Sequence, residues 1–177
     1  GIFPWYSFRD TPILWYCPLQ RFVIYPEEIH ISHSMKSFIQ NRSYEVSFNN
    51  DFEGVIKNCS QLRIKDEGAW LGEDMIKAYT RLHEQNFATS VEVWNEEGKL
   101  VGGLYGVTIS NVFCGESMFS LEPNTSKLAL IHLAHILKKT GNAIIDCQME
   151  TPHLKSMGGR FIPYKEYMKY LLNEGCD

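Results

Sequence analysis

The chain has 177 residues and a mass of 20.5 kDa, and is 44% hydrophobic, 21% charged and 13% aromatic. This is the composition of one packed domain or two small subdomains, and it excludes a disordered, collagenous or fibrous protein. The formal net charge of −4 and isoelectric point near 5.9 argue against a protein that coats long nucleic acid, because such binding rests on many Lys and Arg contacts to phosphate.

In chain order the pattern is mixed α and β. Ile13-Leu14-Trp15-Tyr16 and Arg21-Phe22-Val23-Ile24-Tyr25 read as short strands between Pro-marked turns. Ser34 can cap a short helix to about Gln40, and Tyr44-Glu45-Val46-Ser47-Phe48 alternates like a strand. From Asp51 the period becomes helical, with Phe52, Val55, Ile56 and Cys59 on one face. A second helix, from Gly72 to Gln85, carries Met75, Ile76, Tyr79 and Leu82 at three- and four-residue spacing. Val91 to Trp94 and Leu100 to Ile109 flank a turn with Gly98, and Asn111 to Phe119 is a further strand. Asn124, Thr125 or Ser126 caps the clearest helix, which runs to Lys139 and closes at Thr140-Gly141-Asn142. Ala143 to Gln148 follows as a buried strand. Strand, hairpin, strand, amphipathic helix, strand and short helix is the order of the N-acetyltransferase-like core, so the expected class is α+β with that core. The expected division is a small N-terminal part over residues 1–50 and a larger unit over 51–177. A shared fold does not license acetyl transfer.

Several chemistries find no motif. Coenzyme A transferases place a Gly-rich turn before the central helix so that backbone N–H groups meet the pyrophosphate, whereas Ser120 to Ser126 has no glycine and carries Glu122. Phosphate-loop, dinucleotide and HExxH patterns are absent from the sequence. His132 and His135, three apart, lack an evident third ligand, so no metal is expected. The five cysteines form no CxxC pair and are expected as free thiols. No apolar run reaches the ~20 residues of a spanning helix. The first residues lack the basic region and cleavage site of a secretory signal, so the cytoplasm is the expected compartment. Charge is uneven: residues 43–122 hold six Lys or Arg against thirteen Asp or Glu, and residues 126–170 hold seven against three. Local contact with a few phosphates therefore stays open beside the ordinary use of such faces, solvation.

The informative residues are polar ones inside strands. Two-residue periodicity puts Asp146 and Gln148 on one face opposite Ile145 and Cys147, and Glu116 on a face with Cys114 and Met118. Either these groups converge on a reaction centre beside apolar walls, or they sit at strand ends in water. Gly102, Gly103 and Gly106 inside a strand mark a bulge or a close backbone approach.

The blocks Gly1-Ile2-Phe3-Pro4-Trp5, His30-Ile31-Ser32-His33-Ser34-Met35-Lys36, Gly68-Ala69-Trp70, Ala78-Tyr79-Thr80-Arg81-Leu82-His83, Phe113-Cys114-Gly115-Glu116-Ser117-Met118-Phe119-Ser120 and Ile145-Asp146-Cys147-Gln148 resemble, in order, the signature blocks of the bacterial leucyl/phenylalanyl-tRNA–protein transferases. That resemblance implies transfer of Leu or Phe from the 3′ end of Leu-tRNA or Phe-tRNA to the α-amine of proteins with N-terminal Arg or Lys. It also implies marking of those proteins for N-end-rule degradation, with no cofactor and no membrane partner. By similarity, Asp146 orients or polarises Gln148, Gln148 positions the attacking amine, and Glu116 suits the acceptor's cationic side chain, a task that Asp146 could share. The family's side-chain pocket falls on Leu104, Met118, Leu130, Leu133 and Ile145, positions whose ordinary use is core packing. Trp5, Trp70 and Tyr79 match aromatic positions for the 3′-terminal adenosine. In the family's basic block, residues 33–42, only Lys36 and Arg42 carry full charge here, so tRNA phosphate contact is expected to be light. The family places a further segment before the first block, so the N-terminal part is expected to be short or incomplete. Asn at position 146 is expected to lower turnover and leave folding intact. The alternatives are a coenzyme A-dependent acyltransferase of the same fold and a non-catalytic binder of tRNA ends or N-terminal degradation signals.

Overall fold

Strands rich in Val, Ile and Phe with little polar surface must bury both faces, and the chain meets that demand with a single central sheet. The computed structural model describes residues 2–5, 14–41, 43–67, 72–141 and 144–173, with the backbone alone for Trp5 and residues 63–67. Seven strands, β3 (Gln20–Ile24), β4 (Glu45–Phe48), β5 (Ala88–Trp94), β6 (Leu100–Ile109), β7 (Val112–Ser120), β8 (Ile144–Gln148) and β9 (Arg160–Pro163), lie in the order β4-β5-β6-β7-β8-β3-β9. A separate pair joins β1 (Phe3–Trp5) to β2 (Leu14–Tyr16). Every pairing in the large sheet is antiparallel except β7 with β8. These two parallel neighbours need a crossover, which helix α4 (Thr125–Thr140) supplies. Three antiparallel strands, a helix and a parallel strand make the expected N-acetyltransferase-like core.

Helices cover both faces. Leu128, Leu130, Leu133 and Leu137 of α4 pack on Val91, Val93, Leu104, Phe113 and Ile145, against which α1 (His33–Asn41) buries Met35. On the other face α2 (Phe52–Glu67) and α3 (Glu73–Glu84) bring Phe52, Val55, Ile56 and Tyr79 onto Tyr105 and Phe119. Helix α6 (Tyr164–Leu172) sets Tyr167 among Val23, Val112, Ile144 and Ile162. The edge strand β4 is fastened by a buried carboxylate: Glu92 accepts hydrogen bonds from Ser47 Oγ (2.6 Å) and Ser90 Oγ (2.5 Å).

Helix α4 starts directly after Asn124, the first of the three residues expected to cap it. Asn124 adopts a left-handed conformation and makes no side-chain cap. Ser120 Oγ accepts from the Ser126 N–H instead (2.9 Å), and Thr125 Oγ1 donates to the carbonyls of Glu122 (2.8 Å) and Val101 (3.0 Å).

Two features depart from the sequence expectation. The stretch 1–50 contributes β3 and β4 to the same sheet as residues 51–177, with Phe22, Val23 and Ile24 fully buried between β8 and β9. Burial on both faces leaves such a strand no place outside the core. The pairing of β9 and α6 with β3 was not anticipated from their mixed polarity.

The strand β7 also breaks its two-residue period. Tyr105 pairs with Ser117 but Gly106 pairs with Gly115, so Glu116 is an extra residue, a β-bulge. Phe113 and Met118 therefore both point towards α4, whereas Cys114 points towards α6. Glu116 does not share one face with Cys114 and Met118, because the bulge inverts the alternation between them. Gly106 sits opposite, where a Cβ would lie 2.3 Å from the Cys114 carbonyl oxygen and 2.6 Å from the Phe113 ring. Gly106→Ala is expected to destabilise the fold by ~1–3 kcal/mol, lowering the melting temperature by ~2–4 °C per kcal/mol; an unchanged melting temperature would show that the bulge tolerates a methyl group.

Candidate active site

The site is assembled at the centre of the sheet, where β8 lies between β7 and β3. Asp146 is completely buried and makes a two-pronged ion pair with Arg21 of β3. Arg21 Nε donates to Oδ1 (2.9 Å) and Nη2 donates to Oδ2 (2.9 Å). Tyr167 from α6 donates to Oδ2 (2.8 Å), and the backbone N–H of Gln148 donates to Oδ1 (2.9 Å). A carboxylate offers about four lone-pair sites, so these donors fill it. The Arg21 guanidinium also stacks over the rings of Phe3 (4.9 Å) and Tyr167 (4.6 Å). Burial works against its charge, but the hydrogen bond and charge of Asp146 outweigh burial and hold the guanidinium above its ordinary value. Burial, and next the Asp146 charge, also push the Tyr167 phenol well up, so it stays a donor.

The carboxylate thus acts on Gln148 through the backbone. Register along β3 passes from Val23 opposite Asp146 to Phe22 opposite Gln148, which leaves Cys147 as the extra residue of a second bulge. Gln148 has φ of 60°, a left-handed conformation that a residue with a Cβ seldom adopts. The Asp146–Gln148 hydrogen bond spans this turn and holds it.

Two cavities meet at the bulges. The first, about 590 Å³, gathers all five residues matched to the side-chain pocket, Leu104, Met118, Leu130, Leu133 and Ile145. The second, about 300 Å³, is lined by Arg21, Tyr79, Cys114, Asp146 and Tyr167. Both share Phe3, Pro4, Glu116 and Gln148. The wall between them therefore carries one carboxylate and one carboxamide.

Glu116 accepts a hydrogen bond from the Tyr79 hydroxyl at 2.7 Å. Tyr79 is itself buried, with its ring edge-on to Tyr105 (centroids 5.3 Å apart). Cys114 and Cys147 are free thiols beside the carboxylates. Burial first, and then the charges of Asp146 and Glu116, push Cys114 up to about 12, and burial with Asp146 pushes Cys147 up as well. Both are protonated at neutral pH, so neither is poised as a thiolate nucleophile.

The remaining expected residues lie apart. Lys36 is exposed on α1, while Arg42, Trp70 and the Trp5 side chain lie outside the described residues. His132 and His135, with ring centroids 6.4 Å apart, line a surface hollow with Glu27, Lys138 and Lys139. No group of three or more His, Cys, Asp or Glu among the described residues is arranged to hold a metal ion. At the start of α4, the Ser126 N–H is spent on Ser120, and Glu122 accepts from Tyr44 (2.6 Å) and Asn95 (3.0 Å). That end of the helix is closed to a pyrophosphate by its own hydrogen bonds and by an acid.

Sequence reasoning passed over Arg21 and Tyr167. The signal for Arg21 was present: a full charge flanked by Phe22-Val23-Ile24, the same anomaly that singled out Asp146. Tyr167 gave none, because its donor role depends on how α6 docks.

The buried pair also alters the expectation for Asn at position 146. Removing one charge strands the other in the interior, which costs ~3–5 kcal/mol, whereas replacing both by apolar groups is often near neutral. Arg21→Met is therefore expected to lose that much stability in chemical denaturation, with Asp146→Asn destabilising in the same sense, and Arg21→Met/Asp146→Leu is expected to recover most of it. A single variant as stable as the parent would show that the pair is not a structural requirement.

The model of the family described as leucyl/phenylalanyl-tRNA protein transferase matches residues 23–172, and that of its N-terminal domain matches residues 1–19. The leucyl/phenylalanyl-tRNA–protein transferase of Chromohalobacter salexigens is 47% identical over 97% of this chain and 66% of its own length. That of Flavobacterium johnsoniae is 46% identical over 97% of this chain and 80% of its own. Among solved structures, L-PGS from Bacillus licheniformis shares the fold, with a TM-score of 0.50 at 12% identity over 72% of this chain and 46% of that one. The chain thus spans about two thirds to four fifths of these two relatives' lengths, and it belongs to the leucyl/phenylalanyl-tRNA protein transferase family.

Proposed function

We propose that this protein moves Leu or Phe from the 3′ end of an aminoacyl-tRNA to the α-amine of a protein with N-terminal Arg or Lys, marking it for N-end-rule degradation in the cytoplasm. The observation that carries the reading is the shared wall: the cavity that gathers Leu104, Met118, Leu130, Leu133 and Ile145 and the cavity that contains the Arg21–Asp146 pair meet at Glu116 and Gln148. Amine attack on an aminoacyl ester is downhill, so the protein has mainly to orient the reactants. The donor's side chain enters the cavity of Leu104, Met118, Leu130, Leu133 and Ile145. Leu and Phe branch away from Cα and fit a deep slot, whereas β-branched chains meet the rim, a discrimination worth ~1–3 kcal/mol.

The acceptor enters from the other side. Gln148, held by Asp146 through its backbone, presents its amide to the attacking amine. Glu116, held by Tyr79, receives the cation of the acceptor's Arg or Lys. Asp146 has its acceptor sites filled and is a positioning residue in this scheme. Tyr79 serves Glu116, and Trp5 and Trp70 are the aromatic candidates for stacking the terminal adenosine. Lys36 and Arg42 are the candidates for phosphate contact.

The reading is tested by transfer of radiolabelled Leu from Leu-tRNA to a peptide with N-terminal Arg, with an N-terminal Ala peptide as control. Transfer to the Arg peptide alone is expected. Glu116→Gln is expected to lower kcat/KM for the Arg peptide by ~10–150-fold, the equivalent of one hydrogen bond to a charged group; transfer without regard to the first residue would remove Glu116 from acceptor recognition. With two phosphate contacts, the logarithm of tRNA affinity should fall against the logarithm of salt with a slope of about −2. A slope steeper than about −6 would place the tRNA on a much larger basic surface.

A further inference from the structure

One residue in the wall of the cavity that gathers Leu104, Leu130 and Leu133 carries a polar atom without a partner in the protein. His153, in helix α5 (Pro152–Ser156), lines that cavity together with Ser126, Leu130 and Gln148. Its Nε2 is buried with no hydrogen-bond partner, the one such side-chain nitrogen or oxygen among the described residues. Buried polar atoms are nearly always paired, and an exception on a residue that lines a cavity points to a partner on the ligand.

The surroundings select which ligand atom this is. Burial, and after it the positive charge of Lys127 in the first turn of α4, hold the imidazole below its ordinary value. At neutral pH the ring is therefore uncharged, and one nitrogen carries its single proton. An aminoacyl ester seated by its side chain offers two polar groups close to Cα, an ammonium and a carbonyl oxygen. Burial opposes charge of either sign, and the positive charge of Lys127 decides between the two groups: it disfavours an ammonium beside His153 and favours negative charge developing on oxygen. A neutral imidazole in such a field is an effective electrophile towards a carbonyl.

We propose that His153 is a catalytic residue that donates a hydrogen bond from Nε2 to the acyl carbonyl oxygen of the donor and stabilises the oxyanion formed on attack. The inference rests on the aminoacyl-transfer reading above. In the step, the amine lone pair forms the new C–N bond while the carbonyl π pair moves onto oxygen, towards His153. The oxyanion then re-forms the carbonyl and the bond to the ribose 3′-oxygen breaks. The proton lost by the amine balances the charge on that leaving oxygen. His153 neither gains nor loses a proton, so its part is distinct from that of Gln148, which holds the nucleophile.

The test compares His153→Leu, which lacks a donor, with His153→Gln, whose amide restores one. In the Leu-tRNA to Arg-peptide assay, H153L is expected to lose ~10²–10³-fold in kcat, with KM for Leu-tRNA changed less than about threefold. H153Q is expected to recover about tenfold or more of that loss. A second readout does not depend on turnover: calorimetric binding of a phosphonate analogue of leucyl-adenosine, tetrahedral and anionic, against the planar 3′-amide analogue. The wild type is expected to prefer the phosphonate by at least about 100-fold, and H153L, with a melting temperature near that of the wild type, to lose the preference. His153→Phe, which keeps a flat ring without a donor, provides the same comparison if the leucine variant does not fold. Kcat of H153L within about threefold of the wild type, or an undiminished phosphonate preference in the variants that lack a donor, would overturn the assignment while leaving aminoacyl transfer intact. Absence of Leu transfer by the wild type would instead defeat the reading on which it rests.

Discussion

A charge pair in the middle of a sheet is an expensive thing to build, and the arrangement of this protein follows from the need to satisfy it. Arg21 and Asp146 face each other from adjacent strands, both excluded from water. Their attraction offsets desolvation only if every remaining donor and acceptor is also met. That requirement recruits Tyr167 from α6, the rings of Phe3 and Tyr167 against the guanidinium, and the backbone N–H of Gln148. Four parts of the chain far apart in sequence, β1, β3, β8 and α6, are thereby fixed to one carboxylate. The residue positioned most directly is Gln148, whose left-handed backbone is an unfavourable local choice maintained by this network.

Two bulges convert the sheet from a wall into a partition. A regular strand through residues 112–120 would keep Phe113 and Met118 on opposite faces and deny the apolar cavity one of them. The extra residue at Glu116 puts both on the α4 side and places the carboxylate where the faces exchange. The extra residue at Cys147 does the same for Gln148 on the neighbouring strand. The two reactive-looking side chains belong to both cavities because each stands at a register shift. Gly106, which allows the backbones to approach, is the condition for the first of these. Electrostatics then divides labour: the cavity beside Asp146 keeps a paired and fixed charge, and the one beside α4 keeps an imidazole held below its ordinary value by burial and then by Lys127.

Much of this was legible along the chain. The helical period from Asp51 and the capped apolar run after Asn124 correspond to α2 and α4, and the alternation of residues 44–48, 100–109 and 111–119 corresponds to β4, β6 and β7. These elements are set by local periodicity, which a sequence displays directly. The five pocket positions, taken from resemblance, do converge on one cavity. What escaped were features with no local signature. Glu116 was assigned a face by counting in twos, and counting fails at a bulge. Tyr167 is an ordinary residue until α6 docks beside β8, whereas Arg21 carried a signal, a charge beside an apolar run, but not the identity of its partner. His153 looked like any polar residue of a short helix.

The sequence by itself determined the succession of elements, the presence of charges inside otherwise apolar strands, and family membership, because each is written in neighbouring residues or in ordered blocks. Only the tertiary structure decided what those charges do. Asp146 is engaged as an anchor by partners 125 and 21 residues away, and Glu116 takes its place from pairing across β6. The reason is physical: hydrogen bonds and ion pairs act over a few ångströms of space, and the distances that matter at this site are made by strand order and register rather than by position along the chain.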